Sequence, residues 1–190
     1  MTETPLRLAV IVGSTREGRF AETVSRWFAE QVRVHNDFDV DVVDLADVGL
    51  PPAHPAELTA ELRDFSARID AADAFVIVTP EYNHGYPASL KFAIDSAYAE
   101  WNAKPVGFVS YGGISGGLRA VEQLRQIMAE LHTVTVRDTV SFHGAWGQFD
   151  ENGDPRDPEG VNQAAKKMLD QLLWWGRATR DARTTRPYAA

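Results

Sequence analysis

The chain has 190 residues, 44% of them apolar and 10% aromatic, which is enough for one domain with a sizeable core. A formal charge of -8 opposes binding to nucleic-acid backbones, and the absence of cysteine excludes disulfides, thiolate nucleophiles, iron–sulfur clusters and thiolate zinc sites. No apolar run reaches the ~18 residues of a membrane span and residues 1–5 lack the basic start of a signal peptide, so no membrane partner and a cytoplasmic location are expected.

Short β-branched runs alternate with stretches of helical period, the pattern of right-handed βαβ units. Residues 6–12 read as the first strand, followed by a loop and a helix striped by Phe20, Val24, Trp27, Phe28 and Val32. Residues 38–45 form the second strand, with a proline-rich link through Pro51, Pro52 and Pro55 and a helix over about residues 56–71. Residues 74–79 are a short, fully apolar central strand, and Leu90, Ile94, Ala97, Tyr98 and Trp101 stripe the helix after it. A fourth strand over residues 105–111 leads to a helix carrying Leu118, Val121, Leu124, Met128 and Leu131 on one face. Residues 133–142 supply a fifth strand and residues 161–175 a closing helix, in which Trp174 and Trp175 are assigned to packing, with subunit association second. This alternation predicts a doubly wound parallel sheet with helices on both faces, for which 2-1-3-4-5 is a common order at this size. Residues 1–179 read as a single domain, and residues 180–190, with little apolar content, as a flexible tail.

Ligands of such sheets bind beyond the carboxyl ends of the strands, where strand order reverses. Three unusual loops fall there. After strand one, Gly13, Ser14, Thr15 and Arg16 combine loop amides, hydroxyls and an arginine fork, a set suited to an oxyanion, with an ordinary capped turn as the plain alternative. The ATP-binding P-loop requires Lys and Ser/Thr where this chain has Arg19 and Phe20, and the dinucleotide fingerprint requires three close glycines where it has Gly13 and Gly18. After strand three, the proline-framed turn Pro80, Glu81, Tyr82, Asn83 offers a place for a flat ring or serves as a rigid turn. After strand four, Ser110 and Tyr111 run into Gly112 and Gly113, then Gly116 and Gly117, where backbone approaches a ligand closely or simply flexes.

Together, Gly13-Ser14-Thr15-Arg16, Pro80-Glu81-Tyr82-Asn83, Pro87-Ala88-Ser89-Leu90-Lys91 and the glycine loop resemble the NADPH-dependent FMN reductase family over residues 6–142. The resemblance implies a flavodoxin-like fold, FMN as cofactor with NADPH as hydride donor, and homodimers or homotetramers that help enclose the flavin. It further implies that Ser14, Arg16 and nearby amides hold the FMN phosphate while residues 80–83 and 112–113 embrace the isoalloxazine. The chain departs from many relatives at Arg19 and Ala21, where a serine and an asparagine are common, and at Phe92 and Ser96. Arg19 then either replaces a neutral phosphate donor with a charged one or faces solvent.

The histidines show no i, i+4 pair with a carboxylate motif, so no metal site is assigned, and His84 either touches the ring edge or faces solvent. Glu81 reads as a brace for its loop. No protein residue is assigned a catalytic role, because the flavin carries the chemistry: hydride from NADPH passes to a small acceptor such as a quinone, azo compound, metal oxyanion or free flavin in a ping-pong scheme. The rivals are a flavodoxin-type electron carrier, commonly acidic as this chain is, and a flavin-binding partner protein.

Overall fold

The structure is a computed structural model that describes residues 4–189, so residues 1–3 of the segment read for targeting lie outside the described residues. Strands β1 (Leu6–Val12), β2 (Phe38–Asp44), β3 (Ala74–Pro80) and β4 (Pro105–Gly112) pair in parallel, with two short strands, β5 (Val134–Thr135) and β6 (Val140–His143), along the far side of β4. The order is β2-β1-β3-β4-β5, with β6 also on β4. The doubly wound sheet expected from the alternation is therefore present, with its fifth strand divided.

That division has a local cause. Val106 faces Thr135 and Val109 faces Val140, so the edge chain takes five residues to cover three of its partner's, and the excess bulges out. The bulge is covered from both neighbouring helices. The Arg125 guanidinium donates to the carbonyls of Val136 and Arg137 at 2.8 and 3.1 Å, and the Asp138 N–H donates to Gln171 Oε1 at 3.3 Å.

Alternate strand residues feed two separate cores, as a sheet covered on both faces requires. Leu8, Val10, Val12, Val76 and Val78 pack with Val24, Phe28, Leu169 and Leu172 of helices α1 (Ala21–His35) and α5 (Pro158–Thr185). Ala9, Ile11, Phe75 and Ile77 pack with Phe65, Leu90, Leu124 and Met128 of α2 (Ala60–Ala71), α3 (Ala88–Asp95) and α4 (Leu118–Glu130).

Three predicted elements change length. Helix α2 starts at Ala60, because Thr59 caps it by accepting from the Leu62 N–H at 3.3 Å. Helix α3 ends at Asp95, where Ser96 Oγ donates to the Phe92 carbonyl and competes with the helical ladder. A short turn, Ala99–Trp101, then buries Trp101 and leaves Tyr98 exposed, off the predicted stripe. Helix α5 continues to Thr185, into the segment read as a tail, because Gly176 lets it lie close on Leu6 and Arg183 reaches the Ala103 carbonyl at 2.6 Å and Asp73 at 3.3 Å. Trp174 and Trp175 stack edge to face on each other and are exposed, so the assignment to core packing fails. No helix among the described residues is long and apolar enough to cross a membrane.

Candidate functional site

The loops that leave β1, β3 and β4 meet at the carboxyl edge of the sheet. Gly13 seats the first of them: its N–H donates to the Val78 carbonyl at 2.9 Å, and its own carbonyl accepts from Ser89 Oγ at 2.9 Å. A Cβ there would lie 3.1 Å from Leu90 Cδ2, so the loop starts tight against α3. Beyond it, the N–H groups of Ser14, Thr15, Arg16 and Glu17 meet no acceptor among the described residues. Ser14 is fully buried and its Oγ lies 2.7 Å from Tyr82 Oη, while the exposed Arg16 guanidinium stacks 4.2 Å from the centroid of the Tyr82 ring. Thr15 borders a depression of about 430 Å³ shared with Leu45, Leu50, Ser89 and Phe92.

Arg19 does not face solvent. Its side chain is largely buried and forks onto the Asp44 carboxylate with two bonds of 2.6 Å, and it also donates to the Ser14 carbonyl at 2.6 Å. The pairing with Asp44 raises its already high pKa further, against the opposing effect of burial. Phe20 packs on Phe149 and Tyr111, with ring centroids 5.4 and 6.2 Å apart, and so belongs to the floor of the site.

The second loop folds as a tight hairpin. Tyr82 and Gly85 exchange backbone bonds of 2.8 and 3.1 Å around Asn83 and His84, both at positive φ (49° and 77°) as a type I′ turn requires. The His84 carbonyl accepts from Gln123 Nε2 at 2.9 Å, and the two side chains at the tip are exposed. Pro80 ends β3 opposite Tyr111, and the Glu81 N–H donates to the Tyr111 carbonyl at 3.2 Å. The Glu81 carboxylate accepts from the Arg119 N–H at 3.2 Å and pairs with its guanidinium at 3.1 Å. Burial pushes the Glu81 pKa up, but hydrogen bonds from Ser115 and from the Arg119 amide, with the Arg119 charge, outweigh it and hold the carboxyl below its usual range.

In the third loop the glycines divide into two kinds. Gly116 and Gly117 have φ of +60° and +86°, and a Cβ on them would come within 2.5 Å of Ser141 Oγ and 2.7 Å of Ser110 Cβ, so they serve packing. Ser110 Oγ and Ser141 Oγ both donate to the Gly116 carbonyl at 2.8 Å, which makes Ser110 a tie within the loop. A Cβ on Gly112 would meet the Gly117 nitrogen at 3.3 Å, whereas one on Gly113 would meet nothing within 4 Å. Gly113 therefore presents backbone to open space. Tyr111 is buried beneath the first loop, and its hydroxyl makes no hydrogen bond among the described residues. Burial, with Tyr82 beside it, raises its pKa, while Ser14 pulls weakly the other way.

These groups fit a phosphorylated flavin. Unclaimed loop amides, a buried hydroxyl and an exposed guanidinium suit a phosphate, an unpartnered tyrosine hydroxyl lies below them, and bare backbone at Gly113 gives a flat ring room to approach. Sequence reading missed Asp44 and Arg119, which brace the first two loops, and the turn after β6, where the Gly144 N–H donates to the Gly113 carbonyl at 2.8 Å. Acids and bases at element ends carry no pattern that separates a brace from a solvated charge. A second cavity of about 630 Å³, lined by residues of α1 and α5 that include His35 and Leu173, shares no residue with the three loops.

The family profile described as NADPH-dependent FMN reductase matches residues 6–147, which takes in all three loops and the turn after β6. An NAD(P)H-dependent FMN reductase of Schizosaccharomyces pombe is 42% identical over 120 residues, covering 58% of this chain and 60% of the relative, so the match spans under two thirds of that protein. A 2-hydroxy-1,4-benzoquinone reductase of a Burkholderia species is 34% identical over 186 residues, 92% of this chain and 98% of the relative. Among solved structures, the flavoenzyme NAD(P)H:(acceptor) oxidoreductase FerB of Paracoccus denitrificans superposes with a TM-score of 0.73 at 21% identity over 92% of this chain and 98% of its own, a likeness of fold.

Proposed function

Because the chain belongs to the NADPH-dependent FMN reductase family, enzymes built around FMN and NAD(P)H, we propose that it oxidises NAD(P)H and passes the electrons to a small quinone- or azo-type acceptor. The observation that carries this reading is the meeting of the three loops: Ser14 on Tyr82, and Glu81 on both Tyr111 and Arg119. Bound FMN supplies the capacity to accept hydride from a reduced nicotinamide and to reduce a second substrate in the vacated space, which makes the scheme ping-pong. The protein's part is positioning. The amides of residues 14–17, the Ser14 hydroxyl and the Arg16 guanidinium would hold the phosphate. The rigid turn at Asn83 and His84 and the bare backbone at Gly113 would position the ring. Ser110, Phe20 and Glu81 hold those loops in register without touching the reacting atoms. The acceptor class is supported by the names of relatives, a 2-hydroxy-1,4-benzoquinone reductase and an FMN-dependent NADPH-azoreductase of Staphylococcus haemolyticus. Association into homo-oligomers that help cover the flavin is part of the same reading, and the exposed Trp174 and Trp175 supply apolar surface for it.

The test is anaerobic addition of NADPH to the flavin-loaded protein, followed by steady-state turnover with a small quinone. Bleaching of the flavin and parallel double-reciprocal lines are expected. A flavin that stays oxidised with both NADPH and NADH, yet is reduced by a separate reductase protein, would overturn the reading in favour of an electron carrier.

A further inference from the structure

Arg19 lies at the edge of the proposed phosphate cradle, where a second arginine beside Arg16 would ordinarily be read as a second anion ligand. Its hydrogen bonds point elsewhere. A guanidinium has five N–H groups in a fixed fork. In this protein one from Nη1 and one from Nη2 bond the two oxygens of Asp44 at 2.6 Å, the other from Nη1 bonds the Ser14 carbonyl at 2.6 Å, and Nε–H reaches Glu22 at 3.4 Å. Asp44 is itself fixed at the end of β2, in register with Val12 at the end of β1, and accepts from the Ala46 N–H at 3.0 Å. The Arg19 side chain is 10% exposed and that of Asp44 21%. The pair therefore runs as a strut from the end of β2 to the carbonyl of Ser14, whose own N–H meets no acceptor among the described residues. It also neutralises Arg19. Arg16, by contrast, makes no ion pair among the described residues.

We infer that Asp44 is a positioning residue of the cradle: through Arg19 it holds the Ser14 carbonyl turned away from the ligand, so that the amides of residues 14–17 stay turned toward it. Asp44 then contributes to flavin recognition without contact, and specifically to recognition of the phosphorylated form. The inference rests on the proposed FMN site. It predicts a sign that the alternative reverses. If Arg19 were a direct charge for the phosphate, removing Asp44 would free that charge and tighten FMN binding. If Asp44 is a strut, removing it loosens the cradle and weakens FMN binding, with no effect on riboflavin, which has no phosphate.

The experiment measures dissociation constants of FMN and of riboflavin for the full-length apoprotein by flavin fluorescence, in wild type, Asp44→Ala, Arg19→Ala and the double variant. A coupled charged pair gives an expected loss in FMN affinity of roughly tenfold for each single variant and little more for the double, with riboflavin unchanged. Asp44→Asn, which keeps an acceptor for the Ala46 N–H and lacks the charge, is the check on folding and is expected to fall between wild type and Asp44→Ala. Unchanged or tighter FMN binding by Asp44→Ala overturns the inference, and so does an equal loss for both flavins, which marks a general effect on the fold. Failure of the wild type to bind either flavin defeats the proposed function itself, a result distinct from these.

Discussion

Ser14 Oγ and Tyr82 Oη lie 2.7 Å apart, a bond that joins the loop after β1 to the loop after β3 across 68 residues of sequence. The Arg16 guanidinium on the same Tyr82 ring adds a second link, so the phosphate side and the ring side of the proposed site are connected before any ligand enters. Tyr82→Phe keeps the ring under Arg16 and removes the hydroxyl. The apoprotein is expected to lose about 0.5–1.5 kcal/mol, a fall of a few degrees in Tm by calorimetry, while Tyr82→Ala loses the stacking as well and falls further. An unchanged Tm for Tyr82→Phe would show that the bond carries no stability.

Arg16→Ala removes an exposed guanidinium whose recorded partner is an aromatic face. Its effect on the fold is expected to be small. FMN affinity is expected to drop roughly tenfold to a hundredfold, the scale of a lost charged hydrogen bond, with riboflavin affinity unchanged. Equilibrium titration of the two flavins checks this, and an equal dissociation constant for FMN in wild type and variant removes Arg16 from the site.

The doubly wound order and the three loops at its switch point were legible from apolar periodicity and from motif spacing, because both are local in sequence. Glu81 reads as a brace from its place in the proline-framed turn, but the partner it braces against, Arg119, lies 38 residues on and was not legible. The fate of Arg19 was not legible either, since it depends on Asp44, which ends a strand paired to the loop by topology and reads in sequence as a solvated acid. The division of the fifth strand was hidden because residues 136–139 keep β-branched neighbours on both sides, and the excess over β4 is visible only in the register. Helix α5 passed its predicted end because its last turns are held by Arg183 on Asp73 and Ala103, contacts that no amphipathic stripe announces. The exposure of Tyr98 and Trp174, both read as packing residues, shows the same limit: aromatic identity marks apolar surface without saying what covers it.

Glu81 gives a pH-dependent prediction. Its carboxyl titrates below the normal range in the folded protein because Ser115 and Arg119 hold the charged form against the opposing effect of burial. A lowered folded pKa stabilises the fold above the unfolded value, and that stabilisation disappears as pH falls through the folded pKa. Glu81→Gln resembles the protonated form at every pH. The stability difference between wild type and Glu81→Gln, from urea unfolding, is expected to be full at pH 7 and to shrink toward zero in acid. A difference that does not change with pH would show that the Glu81 charge is not what holds the loop to α4.

Lys104 predicts a trend of the same sign at the alkaline end. It is buried, its ammonium donates to the carbonyls of Ile69 and Asp70 at 2.9 and 2.7 Å, and burial, with Arg183 nearby, lowers its pKa from 10.5 to about 8. Between those two values the unfolded chain holds a proton that the folded chain has released, so stability rises with pH across that window and is flat with respect to this group below it. Urea unfolding from pH 7 to 10.5 is expected to show this rise in wild type and to lose its Lys104 share in Lys104→Gln. Parallel profiles for the two proteins would rule the assignment out.

The two kinds of glycine in the loop after β4 separate packing from ligand contact. At Gly117 a methyl group meets Ser110 Cβ at 2.7 Å from a backbone with φ of +86°, so Gly117→Ala combines left-handed strain of roughly 1–2 kcal/mol with overpacking of about 1–3 kcal/mol. It is expected to lower the Tm of the apoprotein sharply. At Gly113 the same methyl group meets nothing within 4 Å and no positive φ is involved, so Gly113→Ala is expected to leave the Tm of the apoprotein close to that of the wild type. That methyl group still occupies the open space assigned to the ring. Gly113→Ala is therefore expected to weaken FMN and riboflavin by similar factors, because both carry the isoalloxazine, in contrast to the phosphate-selective loss at Arg16. If Gly113→Ala binds both flavins as the wild type does, the ring does not approach this backbone, and its place beside β4 has to be given up even if the phosphate cradle stands.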